Sequence, residues 1–169
     1  MGKLYYFEDG IDENMKEKIA EYFIAVANTT GELITNLKLQ KLVYYAQAWH
    51  LAIYNQPLFR EDFQAWVHGP VLPSLYNNYK RFRGSPIKRE DLDEQFLNGL
   101  KLEFGDGLAG FMDEVTGEYF GISAYDLEQL THSEEPWIKA RRGCQIDEIC
   151  MNNIEKSWIE NYYKQRLVN

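Results

Sequence analysis

The sequence has few cysteines, and this scarcity limits what can hold the fold together. Of 169 residues, two are cysteines, Cys144 and Cys150. Their spacing is not that of a CxxC pair, and no second pair of metal ligands lies nearby, so no zinc module is indicated. Two thiols in a chain of this size are expected to be reduced residues of a cytosolic protein. We therefore expect a core that needs neither a disulfide nor a metal.

Long hydrophobic runs are also missing. The longest strongly apolar stretch, residues 42–54, contains Gln47 and His50 and is shorter than the roughly 20 apolar residues that a membrane-spanning helix needs. The first nine residues are aromatic and acidic, unlike a signal peptide, which has a basic start followed by an apolar run. We therefore predict a cytoplasmic protein that does not enter a membrane.

A basic excess is absent as well. The chain has 18 Lys and Arg against 26 Asp and Glu, a formal net charge of −8. An acidic chain repels phosphate backbones, so nonspecific nucleic-acid binding is not expected. One local basic cluster interrupts this pattern: Lys80, Arg81, Arg83, Lys88 and Arg89. Such a cluster is usually a solvated connector, and the alternative is a patch for phosphate or for an acidic partner.

Apolar residues are plentiful, at 45% of the chain with 15% aromatic, which is enough for a core in one domain. Helical spacing predicts a first helix capped near Asp12. A second helix is predicted over residues 36–54. It has apolar residues on two faces, which is typical of a central helix, and it should end at Asn55–Pro57. The predicted fold is mainly α, with a β element of two or three strands, in one domain over residues 1–169.

Shorter elements are predicted downstream. Alternation over residues 63–67 indicates a strand, the Gly69–Pro70 pair a turn, and residues 72–82 a third helix. Ser123 and Ser133 are candidate helix caps, and a final helix is predicted from about Asp147. Residues 1–10 are interpreted as an N-terminal arm. Residues 83–104 carry no recognised motif and are interpreted as a variable insert suited to partner specificity.

A catalytic constellation is hard to find. His50, His68 and His132 are far apart along the chain, although a converging His68/His132 pair remains open. There is no G-x-S-x-G elbow, no P-loop and no G-x-G-x-x-G motif. We therefore predict a protein that is not an enzyme and needs no cofactor, and we keep a metal- or histidine-dependent hydrolase as a less favoured alternative.

Four segments occur together in an order that resembles one family. They are LQKLVYYAQAWH at residues 39–50, LF at 58–59, AWVHGPV at 65–71 followed by LY at 75–76, and THSE at 131–134 followed by PW at 136–137. Together they resemble the Panacea domain, a family also described as phage-associated proteins and SocA-type antitoxins. The resemblance implies a mainly helical fold, no cofactor, and an antitoxin that neutralises a toxin by direct binding. An adaptor that delivers a partner to a host protease is the alternative.

Partner binding is predicted in a groove near the second helix, the Gly69–Pro70 turn and the third helix. The candidate residues are Gln40, Lys41, Tyr44, Trp66, His68, Gly69, Pro70, Tyr76 and Lys80. For Gln40 and Lys41 the structural alternative is pairing inside the core, since an unpaired buried polar group costs about 1–3 kcal/mol. For Gly69 and Pro70 it is an ordinary tight turn. A homodimer through the aromatic final helix is a further possibility.

Overall fold

The computed structural model describes residues 12–167, so the predicted N-terminal arm lies outside the described residues. Helices dominate, and a small sheet interrupts them. In chain order the elements are α1 (Met15–Thr30), α2 (Asn36–Tyr54), β1 (Phe63–Trp66), β2 (Gly69–Val71), α3 (Pro73–Tyr79), a 3₁₀ turn (Lys80–Phe82), α4 (Glu94–Tyr119), α5 (Ala124–His132), α6 (Glu135–Ala140), β3 (Asn153–Ile154) and α7 (Lys156–Lys164). The prediction of a mainly α fold with a small β element is confirmed.

Helix α2 lies at the centre, as predicted, and its bounds agree with the prediction. The Thr35 side chain accepts a hydrogen bond from the Lys38 amide at the N-terminus, and Asn55 ends the helix in the left-handed conformation, at φ 59°. The helix packs against α1, α4, α5, α7 and the sheet. Because it has neighbours on every side, even its polar residues Gln40, Lys41 and Gln47 are almost fully buried.

The sheet has three antiparallel strands in the order β2-β1-β3. Trp66 pairs with Gly69 across a turn at Val67 and His68. The prediction of a turn at Gly69–Pro70 is therefore wrong by two residues, because both residues pair with β1 as part of strand β2. Phe63 pairs with Ile154 on the other side of β1. Strand β1 is therefore central, and β2 forms an edge that packs against α2 and α5.

Helix starts were predicted with mixed success. The Ser123 hydroxyl accepts from the Asp126 amide, so that cap is confirmed. The Asp12 cap is wrong by two residues, because Asn14 occupies the cap position of α1. The Ser133 cap is also wrong, because its hydroxyl donates back to the Leu130 carbonyl and Glu134 is the N-cap of α6.

The longest helix is interrupted, and the final helix starts later than predicted. Residues 94–104 form the first part of α4, which has a non-helical backbone at Gly105. The final helix starts at Lys156 rather than near Asp147. Residues 141–152 form a loop because the buried Arg141 side chain donates to the carbonyls of Gln145 and Glu148. These contacts take the place of helical hydrogen bonds.

The two cysteines lie in this loop. The structure joins Cys144 to Cys150, whose Cα atoms are 6.2 Å apart. The expectation of two separate thiols is therefore corrected. The loop reverses direction between them, and sequence spacing alone does not indicate such a reversal.

Candidate partner-binding groove

Polar side chains from α2 hold the edge strand β2 in place. The Gln40 side-chain oxygen accepts from the Leu72 amide at 2.9 Å, and its nitrogen donates to the Asn36 side chain at 3.0 Å. The Lys41 ammonium nitrogen donates to the Pro70 carbonyl at 3.0 Å. An edge strand normally leaves such backbone groups unpaired. Here side chains of α2 pair with these backbone groups in place of a fourth strand.

Gly69 is required by this arrangement. Its φ is 102°, and a Cβ atom would lie 2.5 Å from Lys41 Cε and 2.8 Å from Thr131 Oγ1. Both the backbone conformation and the lack of space favour glycine. The Gln-Lys pair of one motif and the Gly-Pro pair of another are therefore parts of one contact.

The opposite side of the hairpin is held from α6. The Trp137 indole donates to the Trp66 carbonyl at 2.9 Å, and the Arg141 guanidinium donates to the Ala65 carbonyl at 2.8 Å. We call Asn36, Gln40, Lys41, Trp137 and Arg141 the polar frame, because each fixes a backbone segment or another member of the group. Through Arg141 the frame also fixes the loop at residues 141–152.

Lys41 is fully buried, and burial lowers its pKa to about 7. Burial also raises the pKa of Glu134 to about 7, although the hydroxyls of Tyr163 and Tyr45 stabilise its charged form. Those hydroxyls donate to one carboxylate oxygen of Glu134, at 2.6 Å and 3.0 Å. This contact ties α7 to α2 behind the hairpin.

His68 and His132 approach the same carboxylate. Glu128 Oε1 lies 2.7 Å from His68 Nδ1 and 3.9 Å from His132 Nε2. The converging pair considered from the sequence is therefore present, with a carboxylate between its members. Across residues 12–167, no group of three or more His, Cys, Asp or Glu side chains is arranged to hold a metal ion.

A groove of about 510 Å³ opens beside the hairpin, within the range of roughly 300–1,000 Å³ typical of ligand sites. Its walls come from four segments that are distant in sequence: the start of α2, the β1–β2 hairpin, α3 with the residues after it, and the loop at residues 141–152. The lining residues are Asn36, Leu37, Gln40, Trp66, Val67, His68, Val71, Tyr76, Arg83, Gly84, Ile149, Cys150 and Met151.

The nine predicted binding residues fall into three sets. Four line the groove: Gln40, Trp66, His68 and Tyr76. Another four are buried and do not line it: Lys41, Tyr44, Gly69 and Pro70. Lys80 is exposed on the 3₁₀ turn and is not part of the lining.

Several residues that matter at this groove were missed. Ile149 and Met151 line it although they are 79% and 65% exposed, and they were predicted to belong to a helix. Arg83 also lines it, although the sequence pattern indicated only that it belongs to a basic connector. Exposed apolar side chains next to a cavity are typical of interaction sites. The one signal in the sequence was the clustering of isoleucine and methionine between polar residues.

The described helices are all too short or too polar to cross a membrane. This finding agrees with the lack of a long apolar run in the sequence.

Comparisons with known proteins place the motifs in a family. The profile of the family "Antitoxin SocA-like, Panacea domain" matches residues 39–138, which is more than half of the chain. A relative named Antitoxin SocA, from Caulobacter vibrioides, is 35% identical over 69 residues, covering 41% of this chain and 37% of the relative. The match thus spans little more than a third of that relative. No solved structure shows a significant match. The chain belongs to the Antitoxin SocA-like Panacea domain family.

Proposed function

We propose that this protein acts as an antitoxin, neutralising a cognate toxin in a toxin–antitoxin or prophage system by direct protein–protein binding. Family membership supports a toxin as the type of partner. The observation that carries the proposed site is the groove, with the exposed Ile149 and Met151 at its wall. Apolar side chains that water surrounds in the free protein gain free energy when a partner covers them.

The proposed action is binding rather than catalysis. Membership in an antitoxin family supports this choice. The polar side chains around the groove also have structural partners: Gln40 and Asn36 bond to each other, and Trp66 donates to Gln64. The proposed site of action is the cytoplasm, and the proposed unit is residues 1–169 as one domain.

Bacterial growth tests the proposal. The neighbouring open reading frame is expressed alone and together with this protein. We expect the neighbour to stop growth, and this protein to restore growth and to co-purify with the neighbour. A harmless neighbour would contradict the antitoxin role. Rescue with loss of the neighbour protein would instead favour delivery to a protease.

A second growth assay tests the site. Ile149→Glu places a charge on the groove wall, and Leu102→Glu makes the same type of change on α4, where Leu102 is 84% exposed and outside the groove lining. We expect the Ile149 variant to lose rescue and the Leu102 variant to keep it. Equal rescue by both variants would show that binding occurs elsewhere.

A further inference from the structure

The groove is lined by a cation, whereas the chain as a whole is acidic. The chain carries a net charge of −8, yet Arg83 lines the groove, and Lys80 and Arg81 precede it in the 3₁₀ turn. All three are exposed. Within residues 12–167, no carboxylate lies within ion-pair distance of any of them; the other ion pairs involve different cations. Arg81 instead donates to the Asn78 carbonyl and lies over the Phe82 ring.

Arg83 is also held in an uncommon backbone conformation. Its φ is 51° and its ψ is −127°, in the region that favours glycine. The turn is fixed by hydrogen bonds from the Arg83 amide to the Lys80 carbonyl and from the Ser85 amide to the Phe82 carbonyl. A strained position kept by the surrounding structure is often a functional one. Here it places a guanidinium at the groove.

Most other polar groups in the groove already have partners. The Gln40 oxygen is bonded to the Leu72 amide, Asn36 donates to the Tyr76 carbonyl, and His68 faces Glu128. An occupant therefore meets mainly apolar surface, together with the guanidinium of Arg83. Guanidinium groups bind carboxylates with two parallel hydrogen bonds, which gives both strength and direction.

We propose that the groove takes a protein segment that carries both apolar and acidic side chains. An apolar side chain lies among Tyr76, Ile149 and Met151, and an Asp or Glu carboxylate binds Arg83. This assignment rests on the proposed function and specifies the chemistry of the toxin segment. Nucleic acid fits less well, because the exposed cavity wall is largely apolar and Arg83 is the one Lys or Arg that lines it among the described residues.

A library of dodecapeptides displayed on phage tests the proposal. It is selected in parallel on the full-length protein and on three variants. Arg83→Glu reverses the charge. Arg83→Gly removes the charge and suits the positive φ, so a folding defect is not expected. Lys88→Glu is the matched control, since Lys88 is exposed and lies outside the groove lining.

We expect the wild-type protein and the Lys88 variant to enrich peptides that combine apolar residues with Asp or Glu. The best of these peptides should bind Arg83→Gly about tenfold more weakly, and Arg83→Glu should select basic residues instead. Acidic residues enriched equally by the Arg83 variants would overturn the proposal. So would enrichment of apolar peptides without acids, or stronger binding of a single-stranded oligonucleotide than of any selected peptide.

Selection on the Ile149→Glu variant distinguishes a wrong binding site from a wrong preference for acidic residues. If Ile149→Glu enriches the same peptides as the wild-type protein, the groove is not the binding site, and the assignment of Arg83 fails with it. If Ile149→Glu loses them while the Arg83 variants keep them, the groove stands and its acid preference is wrong. Toxin neutralisation in the growth assay remains a separate result in both cases.

Discussion

The polar frame shares Asn36 and Gln40 with the groove lining, yet the frame and the exposed wall of the groove are built differently. The frame consists of buried side chains that each satisfy a backbone group, such as Lys41 at the Pro70 carbonyl and Arg141 at the Ala65 carbonyl. The groove wall formed by the loop at residues 141–152 includes exposed side chains such as Ile149, which contribute little to the stability of the folded chain. Residues of the family motifs, such as Gln40 and Lys41, thus mostly hold the backbone that surrounds the groove. Residues outside the motifs supply much of its free surface.

We expect the frame to contribute mainly to stability and the exposed wall mainly to affinity, and substitutions can separate these two effects. Changes in the frame should lower stability first and affect binding as a consequence. Changes on the exposed wall should lower affinity and leave stability unchanged.

The largest effect is expected at Gly69. Gly69→Ala places a methyl group against Lys41 Cε and Thr131 Oγ1 at a φ of 102°. Strain and overpacking together should lower the free energy of unfolding by about 3 kcal/mol or more. Urea denaturation measures this change. Gly84→Ala is the control, since Gly84 lines the groove and has open space around its Cα. A difference under about 1 kcal/mol between the variants would contradict the role assigned to Gly69.

The next effect concerns pH. The folded-state pKa of Glu134 is raised from 4.5 to about 7, so the folded chain binds more protons than the unfolded chain between those values. Stability from this group is complete below about pH 4.5 and is lost as pH rises to 7. The folded-state pKa of Lys41 is lowered from 10.5 to about 7, so its contribution rises with pH above 7.

Denaturation curves between pH 4.5 and pH 9 measure both contributions, each on the order of 2 kcal/mol. We expect Glu134→Gln to remove the fall on the acid side and Lys41→Met to remove the rise on the alkaline side. Unchanged slopes in both variants would show that these groups are not titrating inside the folded protein.

A smaller effect on free energy is expected at the exposed wall. Ile149→Glu should weaken partner binding about tenfold, or about 1.4 kcal/mol, because it replaces apolar contact area with a charge. Its free energy of unfolding should stay within about 0.5 kcal/mol of the wild-type value. Titration calorimetry with the neighbouring gene product measures the change in affinity, and urea denaturation measures the change in stability. A loss of stability as large as the loss of affinity would remove the distinction between wall and frame.

The smallest effect on affinity is expected from the cysteines. Replacing Cys144 and Cys150 with serine opens a short loop, which costs up to about 2 kcal/mol in stability under oxidising conditions. Arg141 still binds the carbonyls of Gln145 and Glu148, so the wall should keep its shape and affinity should change less than about threefold. A much larger loss of affinity, measured by the same titration, would mean that the covalent link shapes the groove.

The sequence predicted those parts of the fold whose causes are local. The bounds of α2 follow from its apolar faces, the Thr35 cap and the left-handed Asn55. The Ser123 cap follows from a three-residue spacing. For Gln40 and Lys41 the sequence left open pairing inside the core and partner binding. In the structure both side chains pair with backbone groups in the core, and Gln40 also lines the groove.

The remaining parts depend on contacts between distant segments. The helix predicted from about Asp147 does not form around Cys150 and Ile154. The buried Arg141 side chain binds the Glu148 carbonyl instead, and Ile154 pairs with Phe63 in the sheet. The groove combines residue 37 with residue 149, and no periodicity joins positions so far apart. Full burial of Lys41 could not be predicted either, because a lysine on a helix usually reaches water.

Amide hydrogen exchange on the complex with the neighbouring gene product shows whether the partner covers the groove. We expect exchange to slow on binding at residues 66–68, 83–84 and 149–151, and to stay unchanged in α4 around residue 102. Frame residues in α2 should exchange slowly in both states. Protection confined to α4, with no change at the hairpin or at the loop containing Ile149, would contradict the groove as the surface that binds the toxin.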